Sequence, residues 1–209
     1  MKALRNVRWY VRRPDAGVER GTNVVESAVM VSLLFLVLLG ILEAAMLMTN
    51  RSNVKSSVNL AVRSGSVAAN DPDADYVILR DLGKLLGDQV PSVRYVIVFQ
   101  ANSVLAGQVP ASCVASANTG GSGVAGLCNV YWPSVLRNPV QSQFGFDPIT
   151  NATATADQSW PAVSRLATYS GGRDLLGVFV ASTHRSVTGL IPRLEMNSVS
   201  IVRLEARGV

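Results

Sequence analysis

The sequence predicts an α+β fold: one long N-terminal helix that runs into a small antiparallel sheet. Three observations predict it. Ser27 to Leu42 is an apolar run without a charged residue. Thr49 to Ala69 contains no proline and repeats apolar residues at helical spacing. Later, Val93–Phe99, Leu175–Thr183 and Ser198–Leu204 are rich in β-branched and aromatic residues and read as strands.

The apolar run comes first. Arg20 to Met48 is interrupted only by Glu26 near its start and Glu43 near its end. As a helix, Val24 to Met48 would measure about 37 Å, enough to cross a hydrocarbon core of about 30 Å. Residues 22–48 are therefore predicted to be a transmembrane helix. Residues 1–21 read as a cytoplasmic leader, and residues 49–209 as an extracytoplasmic α+β domain.

Charge supports that division. The chain of 209 residues carries a net +5, of which +4 falls within residues 1–21. Lys2, Arg5, Arg8, Arg12, Arg13 and Arg20 precede the apolar run, so the tail is expected inside and the long C-terminal part outside. The remainder is close to neutral, which excludes a basic nucleic-acid-binding face. The leader could end before the apolar run, at Gly21. A secretory signal would instead be cut after it, near Ala44-Ala45.

Beyond Met48 the helix is expected to continue over residues 49–69. Val54, Val58, Ala61, Val62, Gly65 and Ala69 share one face, while Arg51, Lys55, Asn59 and Arg63 lie largely off it. From Thr22 to Ala69 the helix would reach about 72 Å. Asn70-Asp71-Pro72 ends it and starts another, capped by Asp71, with Ile78, Leu79, Leu82, Leu85 and Leu86 as its buried stripe. Residues 101–173 read as loops and short turns, with a brief helix near Trp160 to Leu166. Leu190-Ile191-Pro192 reads as a turn before the last strand.

The two cysteines, Cys113 and Cys128, stand on the expected outer side with a glycine-rich segment between them. In an oxidising compartment that spacing suits a disulfide, worth about 3 kcal/mol for a loop of about 15 residues. Two buried free thiols are the other reading.

Catalytic signals are poor. The lone histidine, His184, reads as a surface or hydrogen-bonded strand residue, and with two paired cysteines it makes no zinc site. Gly120-Gly121-Ser122-Gly123 lacks the final glycine of a nucleophile elbow, and no glycine loop ends in a Walker lysine. Asp71, Asp73 and Asp75 lack the glycine and the final glutamate of a calcium loop, and helix capping accounts for them. No cofactor, metal or small-molecule substrate is predicted, and the chain is not read as an enzyme. Glu26 stands out. It either has a partner at the membrane border or reaches the headgroups unpaired.

Gly21, with Glu26 as the fifth residue after it and a long apolar helix following, resembles the processing site of type IV prepilins. That resemblance implies cleavage after Gly21 by a prepilin peptidase and a mature chain starting at Thr22. It also implies that Glu26 pairs with a neighbouring subunit's terminal amine during assembly. Gly40-Ile41-Leu42-Glu43 resembles the G-x-x-E at the helix end of TadE-like proteins, the minor pilins or pseudopilins of tight-adherence (Tad) pili. Ala61 to Ala69 is similar to that group's A-x-R-x-G-A-R-x-A stretch, with Ser66-Val67 in place of Ala-Arg. Asp174–Val180, Thr188-Gly189-Leu190 and Arg203-Leu204-Glu205 are similar to actinobacterial-type members. Thr22 stands where major pilins have phenylalanine, and the domain is far larger than the very short major subunits of Tad pili.

The resemblance implies a pilin-like domain on a single-pass cytoplasmic membrane protein, acting in adhesion or filament assembly. Its partners would be the membrane, the peptidase, other pilus subunits and the assembly platform. An uncleaved, membrane-anchored binding protein is the alternative from another class, and a membrane-tethered hydrolase is the third.

Overall fold

The computed structural model describes residues 19–102, 108–147, 149–150, 154–168, 172–186, 188–189 and 192–206, with side chains from residue 23 onward. The expected leader lies almost wholly outside these residues, as do Leu190 and Ile191 of the expected turn. Helix α1 runs Glu19–Ala68, so it begins inside the segment read as leader and ends one residue before Ala69. The chain divides into two units, Met1–Leu42 and Glu43–Val209.

The described part of the first unit is the N-terminal portion of α1. Every side chain from Asn23 to Leu42 is exposed, including Val24 at 69 % and Phe35 at 61 %. The helix is long and apolar enough to cross a membrane. Its two serines suit an apolar medium. The Ser27 hydroxyl donates to the Asn23 carbonyl at 2.7 Å and that of Ser32 to the Ala28 carbonyl at 2.8 Å, so neither is left unsatisfied.

The second unit is a five-stranded antiparallel sheet between helices. Its elements are α2 (Ala74–Leu86), a 3₁₀ segment (Gly87–Ser92), β1 (Val93–Ala101), α3 (Ala111–Asn118), β2 (Gly123–Val124), β3 (Cys128–Tyr131), α4 (Pro133–Arg137), β4 (Leu175–His184) and β5 (Leu194–Arg203). The strand order is β2-β3-β1-β4-β5. Ile97 pairs with Phe179 and Phe179 with Val199 across the three long strands.

Alternation along β1 divides two cores. Val96 and Val98 face α1 and α2, where Val54, Val58, Ala61 and Val62 meet Ile78, Leu82, Leu176 and Val178. The predicted stripe of α1 is thus buried, with Val58 and Ala61 fully enclosed and Arg51, Lys55, Asn59 and Arg63 exposed. Gly65 belongs to it because a Cβ there would lie 2.5 Å from Cδ1 of Ile78 and 3.1 Å from Cδ2 of Leu176. Tyr95, Ile97 and Phe99 face the other way, onto Cys113 and Ala117 of α3.

The structure corrects several expectations. The sheet has five strands, not three, and both of its faces are covered. The region 101–173 supplies the second cover through α3, and supplies β2 and β3. Leu85 is exposed at 45 %, outside the α2 stripe. Asp73, not Asp71, occupies the cap position of α2 and makes no side-chain cap bond. The brief helix expected near Trp160 to Leu166 is present as a 3₁₀ helix at Ala162–Ser164. Cys113 and Cys128 form a disulfide that ties α3 to β3.

Candidate assembly site

The residues singled out in the sequence fall at separate places. Gly21 and Thr22 lie within α1, without described side chains. Glu26 is exposed on the apolar helix and has no ion pair among the described residues. Gly40 faces open space: a Cβ there would meet nothing within 4 Å.

Glu43 is different. It opens the second unit and is 1 % exposed, despite lying beside an outward-facing apolar segment. Its Oε1 accepts from Nε2 of His184 at 3.1 Å. Its Oε2 accepts from the Thr188 backbone N–H at 3.3 Å and from the Thr188 hydroxyl at 3.2 Å. Behind the imidazole, Asn50 donates to Nδ1 of His184 at 3.2 Å, and Gln89 donates to Oδ1 of Asn50 at 3.2 Å. A donor on Nδ1 places the imidazole proton on Nε2, facing the carboxylate. The relay Gln89–Asn50–His184–Glu43–Thr188 therefore connects the 3₁₀ segment, α1, the end of β4 and the turn after it.

Both nitrogens of His184 are engaged by protein groups, and the His–Glu pair clasps the end of β4 to α1. A cleft of about 300 Å³ opens beside it, lined by Asn50, Asp88, Ser92, Thr183, His184 and Arg185. Among the described residues no cluster of His, Cys, Asp and Glu has metal-site composition.

A second buried polar group was not anticipated. Asp75, read as a helix-start acid, is fully buried. Its Oδ1 pairs with Nη2 of Arg165 at 2.6 Å, and its Oδ2 accepts from the Tyr131 hydroxyl at 2.5 Å and from Asn129 at 2.9 Å. The Arg165 guanidinium also lies over the Trp160 ring, 4.2 Å from its centroid. Burial and the Asp75 charge push the Tyr131 phenol well above its ordinary range, so it stays a donor. This network fastens α2, β3 and the segment around Trp160 together.

Both carboxylates had a sequence signal. Asp75 stands at i−3, i−4 and i−7 from Ile78, Leu79 and Leu82, so it heads the buried stripe of α2. The stripe of α1, extended back from Val54, passes through Asn50 to Glu43 at the same helical phase. Compared with family models, with curated proteins and with solved structures, the chain has no significant match.

Proposed function

We propose that this protein is a minor pilin or pseudopilin of the TadE-like kind, a structural component of a Tad-type pilus rather than an enzyme. The observation that carries the reading is the first unit. From Asn23 to Leu42 its apolar helix presents every side chain outward, and the one acid in that span, Glu26, has no ion pair among the described residues. Such a surface suits a lipid environment before assembly and neighbouring helices after it. A carboxylate in that setting is costly until a cation meets it, which favours a partner from another chain.

The second unit supports the same role. It is fastened by a disulfide, a buried ion pair and the Glu43 clasp, and its only histidine is committed to that clasp. In this reading the leader stays in the cytoplasm, the peptidase cuts after Gly21, and the domain projects outward toward other pilus subunits and the assembly platform. Mass spectrometry of membrane-extracted protein, from cells carrying the peptidase, tests it. A chain beginning at Thr22 is expected. An intact leader would leave the uncleaved, membrane-anchored binding protein, and cleavage near Ala45 would leave a secreted domain.

A further inference from the structure

The bond that the pilin reading has cut, Gly21–Thr22, lies inside helix α1, which runs Glu19–Ala68. Hydrolysis there adds water across the peptide. The Gly21 carbonyl carbon gains the oxygen, the C–N bond breaks, and a Gly21 carboxylate and a Thr22 amine are left. Within an α-helix that carbonyl accepts from the N–H four residues on, which belongs to Val25. The attacked oxygen is therefore already engaged, and the turn crowds the peptide group. Proteolysis of folded chains proceeds through locally opened states for this reason.

The sequence weakens the helix where this bond lies. Gly21, Thr22, Asn23, Val24 and Val25 all stand low on the helix scale. From Ala28 to Leu42, by contrast, alanine, methionine and leucine make up eight of 15 residues, so opening is favoured at the Gly21 end. The unit to be opened is small. Freeing the Gly21 carbonyl from the Val25 N–H releases the backbone of residues 22–24 and no more. Backbone groups freed in hydrocarbon find no water. Arg20, Asn23 and Glu26 bracket this turn, whereas Ala28 to Leu42 holds one polar side chain, Ser32. Freed groups at residues 21–25 thus lie at the polar end of the apolar run.

We propose that unwinding of the 21–25 turn of α1 controls cleavage: the peptidase takes the chain with this turn opened, and the weak helix formers from Gly21 to Val25 set how often that occurs. The proposal rests on the pilin reading, which supplies the peptidase and the cleavage point, and adds the conformation that is cut. With opening and closing fast relative to cleavage, the rate is proportional to the opened fraction.

The experiment follows the full chain in membranes of cells carrying the peptidase, by pulse-chase. Amide exchange at Val25 is measured on the uncleaved full chain in detergent. Asn23→Ala and Val24→Ala strengthen the turn without touching Gly21 or Glu26. Each should slow cleavage about threefold, and the pair about tenfold, with Val25 exchange slowed to match. Asn23→Gly and Val24→Gly should each be cut about fivefold faster than the alanine variant at the same position. Glycine and alanine differ by one methyl group, so agreement at both positions separates helix opening from recognition of a side chain by the peptidase. Equal cleavage of the alanine and glycine variants would overturn the proposal and leave the pilin reading standing. So would Val25 exchange that is indifferent to these substitutions. A wild-type chain never cut after Gly21 would reject the pilin reading itself, and this proposal with it.

Discussion

His184 and Glu43 are 141 residues apart in sequence, and their side chains meet at 3.1 Å with both nearly sealed from solvent. The contact joins the start of the second unit to the last residue of β4. It gives Glu43 of the Gly40–Glu43 motif a physical role: its carboxylate gathers donors from β4 and from the turn that leads to β5.

Removing the carboxylate strands those donors. Glu43→Ala leaves the buried Nε2–H of His184 and the part-buried Thr188 N–H without this acceptor, and should lower stability. Glu43→Gln keeps one acceptor oxygen and should lose less. Thermal unfolding of the detergent-solubilised protein, followed by near-ultraviolet circular dichroism, checks the order wild type, Glu43→Gln, Glu43→Ala. An unchanged midpoint for Glu43→Ala would show that the clasp holds nothing.

Asp75 and Arg165 should behave as a unit. Asp75→Ala leaves a buried guanidinium without its counter-charge and should cost about 3–5 kcal/mol. Removing both charges with Asp75→Asn/Arg165→Met should cost less than the single change, since no buried charge then lacks a partner. Denaturant midpoints of the three proteins measure this, and a double variant weaker than Asp75→Ala would contradict it.

Asp157 gives a pH dependence of known sign. Burial and the neighbouring Asp75 charge raise its carboxyl above the ordinary range, although the N–H groups of Gly145 and Phe146 donate to it at 3.2 Å. The native state therefore holds this proton more tightly than the unfolded chain does. Its contribution to stability falls as pH rises from the ordinary carboxylate range through the raised native value. Asp157→Asn removes that slope. Its stability relative to wild type should rise with pH across that window and then level off, as read from denaturant midpoints at several pH values.

The disulfide should be separable from the long helix. Cys113 and Cys128 pin α3 to β3, whereas α1 is held by its own apolar stripe on the other face of the sheet. Reduction should speed amide exchange in residues 113–128 and leave that of Val58 to Val62 unchanged. Simultaneous loss of protection in both would show that the two faces unfold together.

Some elements were legible because local pattern decides them. The α1 stripe from Val54 to Ala69 needs only a helical period and a sheet to face. β1, β4 and β5 carry enough β-branched and aromatic residues to be read one by one. The second cover was not legible. α3 reads ASCVASAN, small residues with little amphipathic contrast, and it is held by Cys113. β2 and β3 are too short to show a period. The partners of Asp75 and Glu43 were hidden for another reason. Arg165 and His184 reach them only after the sheet has assembled, so nothing near either acid in sequence names them.

The central claim is that Glu26 serves another subunit, and Glu26→Val tests it most directly. In the pilin reading, the acid meets the amine freed on Thr22 of a neighbour where little water screens the pair. The loss then belongs to assembly, not to insertion or folding. The measurement is the amount of Glu26→Val protein recovered with sheared filaments or other pilus subunits, normalised to its level in the membrane. The account predicts normal insertion, normal cleavage after Gly21 and a large loss of recovery, with Glu26→Asp intermediate. Recovery of Glu26→Val at the wild-type level would contradict it and return Glu26 to an unpaired place among the headgroups.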